Sequence, residues 1–318
     1  MTKSALILGI TGQDGSYLAH HLLNLGYKVI GASRDSYICD KSRLKRLGIL
    51  EDVELCSISL TEFRSILQAV SFHKPSQIYN LAGLTSVGLS FELPVECMES
   101  IATATINLVE VIRFLDSGIR LFNAGSSECF GDTGTNVADE NTLLKPLSPY
   151  AVAKASAFWQ IYTYRKAYNI FCCTGILANH ESPLRPTRFV TQKIVQSACN
   201  IHNGTANKVI LGNILVSRDW GWAPEYVQAM HLMLTAETPN DYIIASGTTV
   251  SLKTFAELIY SKFDLNFSDY YRLDPSLCRP SELETINLDP SKIYRNLGWR
   301  STNSIQQIAD KLCSNELF

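Results

Sequence analysis

Residues 4–32 read SALILGITGQDGSYLAHHLLNLGYKVIGA, and their pattern decides the fold. From Ser4 to Gly9 the chain is continuously apolar, includes a β-branched residue and runs into glycines, as expected of a strand buried on both faces of a parallel sheet. Ser16 to Leu25 carries apolar residues at helical spacing and stops at Gly26, and Lys28 to Ala32 reads as a second strand. Strand, glycine turn, helix and strand together open a βαβ unit.

The same alternation continues through the first half. Strands are predicted at Val53 to Ile58, Gln77 to Leu81 and Arg120 to Ala124, with helices at Thr61 to Ser71 and Pro94 to Leu115. Ser148 and Pro149 read as N-cap and first residue of a long helix reaching about Tyr168, before a strand at Phe171 to Leu177. Beyond Ile176 the pattern becomes mixed and holds Pro183, Pro186, Pro224, Pro239, Pro275, Pro280 and Pro290, which suggests a smaller lobe. The expected division is a dinucleotide-binding domain at 1–176 and a lobe at 177–318, with some segments of the lobe returning to the first domain.

Composition narrows the class. Of 318 residues 46% are apolar and only 18% charged, so disorder and a charge-laced coiled coil are excluded. The net charge of −2 supplies no field for gripping a nucleic-acid backbone. Nine scattered cysteines without a C-x-x-C pair read as reduced thiols, no metal site is expected, and no apolar run approaches a membrane span. These features place the protein in the cytoplasm, with no membrane partner.

Two constellations carry chemistry. Gly9, Gly12 and Gly15 lie between the first strand and first helix, where a tight turn and free helix N–H groups suit a pyrophosphate. At the end of the second strand Asp35, 20 residues beyond Gly15, favours the 2′-hydroxyl of NAD, whereas Ser33 and Arg34 favour the 2′-phosphate of NADP. The reading prefers NADP and keeps NAD as the alternative. Tyr150 and Lys154 stand four apart, hence on one helix face, where an ammonium and a helix N-terminus stabilise a phenolate. Such a Tyr takes a proton from a hydroxyl while hydride leaves the same carbon.

With these residues goes a resemblance. GITGQDGSYL (9–18), NLAG (80–83), SPYAVAK (148–154), GILANHESP (175–183), FVTQKI (189–194) and LGN…RDWG (211–221) resemble the GDP-mannose 4,6-dehydratase family of extended short-chain dehydrogenases/reductases, over nearly the whole chain. The resemblance implies an α/β fold: a Rossmann-type doubly wound parallel sheet with a smaller mixed α/β C-terminal substrate lobe. It implies catalytic roles for Ser126, in place of the family's Thr, and for Glu128, Tyr150 and Lys154. It implies a cofactor held by Gly9, Thr11, Gly12, Gln13, Asp14, Gly15, Arg34, Leu81, Ala82, Tyr150 and Lys154. A GDP-sugar or other nucleotide-sugar is then expected at Ser86, Asn179, Val190, Lys193, Arg218, Arg279 and Glu282.

The implied reaction is a 4,6-dehydration, GDP-mannose to GDP-4-keto-6-deoxymannose, by internal hydride transfer. An epimerase or 4-ketoreductase needs Tyr150 and Lys154 but not Glu128, and a silent NADP-binding regulator needs none of them. His180 reads as a structural histidine. The resemblance also implies a homodimer through a four-helix bundle containing Ser148 to Tyr168. A tetramer stays open, because the family's arginine-rich stretch here reads Arg34-Asp35-Ser36-Tyr37-Ile38-Cys39.

Overall fold

Ala5, Leu6 and Ile7 have no solvent exposure at all, and the strand that carries them lies inside the main sheet, paired on both sides. The computed structural model describes residues 3–115 and 118–318. Seven strands, β1 (Ser4–Leu8), β2 (Lys28–Ser33), β3 (Val53–Ser57), β4 (Gln77–Asn80), β5 (Arg120–Ala124), β6 (Cys172–Leu177) and β10 (Tyr242–Ile244), pair in the order β10-β6-β5-β4-β1-β2-β3. Every pairing is parallel. This is the doubly wound α/β sheet expected from the sequence, and its order reverses beside β1, between β2 and β4. Ligands of such sheets bind at the carboxyl ends of the strands at that reversal.

Helices Gln13–Asn24 and Ala223–Thr235 contribute to the core on one face, and Phe63–His73 and Ala104–Leu115 to that on the other. A separate core is built by helices Val190–His202, Leu252–Ser261 and Ile305–Ser314. It packs with β7 (Asn179–Glu181), β9 (Ser217–Trp222) and β11 (Thr249–Ser251), which form one small sheet, and β8 (Val209–Leu211) and β12 (Tyr271–Leu273), which form another. Burying each large aliphatic side chain in these cores contributes ~1.5–3 kcal/mol. Among the described residues no helix is long and apolar enough to cross a membrane.

Two local expectations need correction. The first helix begins at Gln13, not Ser16, because Gly12 supplies the extended N-cap and Gly15 lies inside the first turn. The segment Pro94 to Leu115 is not one regular helix: Glu99–Thr103 forms a π turn between Pro94–Met98 and Ala104–Leu115. The wider turn lies against the β4 loop, where Leu84 N donates to Ser100 Oγ at 3.3 Å and Gly83, at φ +117°, leaves no room for a Cβ beside Ser100 O. Elsewhere the agreement is close: Arg120–Ala124 is as expected, and the helix Pro149–Tyr168 starts with Ser148 Oγ accepting from Ala151 N.

Candidate active site

At the carboxyl end of β1 the chain turns through Gly9, whose φ of +85° favours glycine. A Cβ on Gly9 would meet Leu81 and Ala82 backbone at 3.0–3.1 Å, so the tip of β4 is drawn against the loop. At Gly15 a Cβ would fall 2.3 Å from Gly9 O. The loop therefore folds onto the first helical turn, whose amides have no intrahelical acceptors. The side chains of Gln13 and Asp14 reach across to the segment after β6. Gln13 Nε2 donates to His180 O at 3.2 Å and its Oε1 accepts from Ser182 Oγ at 2.8 Å, while Asp14 meets His180 at 3.0 Å. What these two residues leave to a ligand is their backbone N–H. Thr11 O is taken by Arg43 Nη1 at 3.0 Å.

At the end of β2, Ser33 Oγ is buried without a hydrogen-bond partner among the described residues, and Arg34 is exposed. Asp35 turns into its own loop, its Oδ1 accepting from Tyr37 N at 2.9 Å and Ile38 N at 3.3 Å.

Beyond β5, Gly125 N donates to Gly175 O at 2.8 Å, and Ser126 caps the short turn Ser127–Phe130, its Oγ accepting from Glu128 N at 3.3 Å. That cap fixes Ser126 and Glu128 on a turn facing the helix Pro149–Tyr168. Ala151, Ala153, Ala155 and Ala157 are buried there, so the helix comes close. Lys154 Nζ donates to Ala124 O at 2.7 Å and stands 5.8 Å from the Tyr150 ring centre. Burial brings the Lys154 ammonium down to about 8. Burial also pushes the Tyr150 phenol well above its usual 10, although a hydrogen bond with Ser126 works the other way. The phenol is thus raised and not lowered as expected from Lys154 and the helix N-terminus, because loss of water penalises the phenolate.

From the lobe, Arg218 on β9 brings Nε to 3.6 Å from Glu128 Oε1, and Arg279 Nη1 lies 3.9 Å from the same oxygen and 3.7 Å from Glu282 Oε1. Ser126, Glu128, Tyr150, Lys154, Arg218, Arg279 and Glu282 therefore form one cluster. Asn179 opens β7 directly after the main sheet, next to the His180 contact with the glycine loop. Ser86 caps the helix Val87–Glu92 through its Oγ, at 3.2 Å from Leu89 N. Val190 and Lys193 lie on the first turn of the helix Val190–His202, with Lys193 exposed. These last three touch neither Glu128 nor Lys154 through any hydrogen bond or ion pair among the described residues.

Two features were not read from the sequence. One is the Asp14–His180 contact that ties the glycine loop to the lobe. The other is Asp219 beside Arg218, whose carboxylate accepts from Ser246 N at 2.9 Å and Gly247 N at 2.7 Å and is raised by burial to about 6. The only sequence signal for either was that His180 and Asp219 lie within the quoted motifs.

Comparison with known proteins gives the family. The sequence model of the family described as GDP-mannose 4,6 dehydratase matches residues 6–312. GDP-mannose 4,6 dehydratase 2 of Arabidopsis thaliana is 38% identical over 325 residues, covering 99% of this chain and 87% of the plant protein. GDP-mannose 4,6-dehydratase of Vibrio cholerae is 33% identical over 351 residues, covering 100% of this chain and 94% of its own. Among solved structures, dTDP-glucose 4,6-dehydratase of Bacillus anthracis in complex with NAD superposes with a TM-score of 0.85 at 20% identity, over 98% of this chain and 96% of that one.

Proposed function

Because the chain belongs to the GDP-mannose 4,6-dehydratase family, we propose that it converts GDP-mannose to GDP-4-keto-6-deoxymannose with a nicotinamide cofactor bound along the glycine loop. The observation that carries the reading is the meeting of Ser126, Glu128, Tyr150 and Lys154 beside that loop, at the carboxyl ends of β1 and β5.

The residues fit such a cofactor. At Gly9 and Gly15 a Cβ would strike the backbone of the loop and of the β4 tip, so only glycine keeps the turn this tight, and the first-turn amides would face a pyrophosphate. At the β2 end the unpartnered Ser33 Oγ and exposed Arg34 suit a 2′-phosphate, while Asp35 is engaged by Tyr37 N and Ile38 N. This supports NADP over NAD. A nicotinamide held there would supply the hydride acceptor for C4 of the sugar and the hydride donor for C6.

The chain's own residues move the protons. Tyr150, beside Ser126, takes the proton of the 4-hydroxyl as C4 becomes a ketone. Lys154 holds positive charge near the phenolate that Tyr150 passes through. The 4-ketone acidifies the C5–H; Glu128 takes that proton, the C5–H electron pair becomes the C5–C6 double bond, and the C6–O bond breaks. Glu128 passes its proton to the departing hydroxyl, which leaves as water, and a proton from solvent returns to C5. Arg279, 3.7 Å from Glu282, is assigned with Glu282, Asn179 and Lys193 to the nucleotide diphosphate and ribose.

Assembly and location follow as part of the same reading. Val152, Trp159 and Tyr162 on the helix Pro149–Tyr168, with Leu93 and Val95 nearby in sequence to its packing partner, leave apolar surface exposed that a second copy would cover. The nine free cysteines suit a reducing cytoplasm.

Incubation with GDP-mannose in D₂O, followed by mass spectrometry and NMR of the product, tests the proposal. A product one water lighter with deuterium at C5 is expected. An epimer, or product of unchanged mass, overturns it.

A further inference from the structure

Lys154 is 7% exposed, and among the described residues its Nζ has one hydrogen-bond acceptor, Ala124 O at 2.7 Å. An ammonium carries three N–H groups, so two directions stay open. Between Lys154, the residue after β5 and the middle of β6 lies a cavity of about 10 Å³, walled by Gly125, Ser126, Cys129, Lys154, Phe158 and Thr174. That is room for one water, provided polar groups hold it.

Thr174 supplies such a group. It is fully buried on β6, and its Oγ1 has no hydrogen-bond partner among the described residues. Its methyl is turned towards Gly125, where an added Cβ would fall 2.7 Å from Thr174 Cγ2. The neighbouring strand gives the hydroxyl nothing: Asn123, its register partner on β5, spends Oδ1 on Asn80 Nδ2 at 2.9 Å and makes no bond to Thr174. A valine has nearly the same shape and no hydroxyl to desolvate, so the buried hydroxyl calls for a partner.

The other groups facing Lys154 do little to hold its charge. They are Tyr150 on its own helix, Cys129 on the turn after β5, Cys97 on Pro94–Met98 and Asp14 on the first helix. Burial raises both thiols, Cys129 to about 12, so they are neutral at working pH, and Asp14 is paired with His180. Glu128, next to Cys129, faces Arg218 and Arg279.

We propose that Thr174 is a positioning residue for Lys154: one buried water accepts from Lys154 Nζ and bonds Thr174 Oγ1, fixing the ammonium between that water and Ala124 O and leaving its third N–H for the reacting side. The proposal rests on the reading of Tyr150 and Lys154 given above. Turnover then needs the ammonium and falls as pH rises through the Lys154 value, which burial lowers. A hydrogen bond to the charged form raises that value, so removing the bond moves the alkaline limb of the rate to lower pH.

The test uses purified holoenzyme carrying Thr174→Val, Thr174→Ser or Lys154→Met. It measures kcat and KM for GDP-mannose across pH, and the ordered water in high-resolution crystals of wild type and Thr174→Val. Wild type is expected to hold a water within hydrogen-bond distance of Thr174 Oγ1 and Lys154 Nζ, and Thr174→Val to lack it. Thr174→Val should shift the alkaline limb of kcat down by about 0.5–1 pH unit, with KM within about twofold. Thr174→Ser should keep the wild-type limb, and Lys154→Met should be nearly inactive.

An unshifted limb in Thr174→Val, or a loss equal at every pH, would overturn the proposal, as would wild-type crystals with no water between the two groups. Should Thr174→Val fail to fold, the wild-type crystals and the limb of Thr174→Ser decide. Normal turnover by Lys154→Met defeats the underlying reading of Lys154. An inactive Lys154→Met beside an unshifted Thr174→Val defeats only the role of Thr174.

Discussion

His180 Nε2 lies 3.0 Å from both carboxylate oxygens of Asp14, while its Nδ1 faces Ala178 O at 2.8 Å. With an acceptor at each ring nitrogen, the imidazolium is the form that satisfies both. Burial works to lower His180, but the charge and hydrogen bond of Asp14 outweigh it and raise the group above 6.5. Burial works to raise Asp14, but His180 and Gln13 bring its carboxyl down to about 2. The Asp14 contribution to stability is present above 3.8 and is lost as pH falls towards about 2. The His180 contribution is full below 6.5 and fades as pH rises through its raised value. Asp14→Asn is therefore expected to cost ~1–3 kcal/mol, a few degrees of melting temperature, near pH 5–6. Thermal melts across pH should show that gap from wild type narrowing by about pH 9. A gap constant with pH would contradict the pairing.

Tyr150 is buried near Ser126 on the helix Pro149–Tyr168. Tyr150→Phe keeps the ring and removes the proton acceptor. Turnover is expected to fall by ~10²–10⁴ with GDP-mannose affinity nearly unchanged, measured by steady-state kinetics and calorimetry.

The turn after β2 separates the roles of two neighbouring charges. Arg34→Ala should weaken NADP by roughly 5- to 150-fold and NAD far less, because only NADP offers the 2′-phosphate. Asp35→Ala removes the acceptor for Tyr37 N and Ile38 N, so it loosens the loop but spares the preference. Titration of both cofactors against both variants checks this. Loss of NAD binding in Asp35→Ala, with Arg34→Ala neutral, would reverse the assignment.

Trp159 is 53% exposed in the middle of the helix Pro149–Tyr168, among Val152 and Tyr162. Trp159→Glu puts a charge into that apolar face. Light scattering at micromolar concentration is expected to give a dimer mass for wild type and a monomer mass for the variant. A wild-type monomer would refute the assembly.

How much of this could be read beforehand depended on how local the cause was. The strand Arg120–Ala124 and the start of the long helix at Ser148 and Pro149 follow from side chains acting on their own backbone, so the sequence shows them. The π turn at Glu99–Thr103 arises where Ser100 meets Leu84 N and the backbone of Gly83, a contact between segments 16 residues apart. Tyr150 and Lys154 were legible because one helical turn sets their spacing. The approach of Arg218 and Arg279 to Glu128 was not, since it depends on how loops separated by 90 or more residues fold over one another.

The outer strand β10 adds one further consequence. As the chain leaves the ribosome, β1 to β6 can assemble once Leu177 has emerged, yet β6 then has no neighbour on its outer side. All its residues are buried in the finished protein, including Cys172 and Cys173. Until Tyr242–Ile244 is synthesised and pairs with Gly175–Leu177, that row of amides and carbonyls is open to another nascent chain. Slow translation between these points, or a nonsense codon within them, would thus yield an aggregating fragment, not a smaller soluble one.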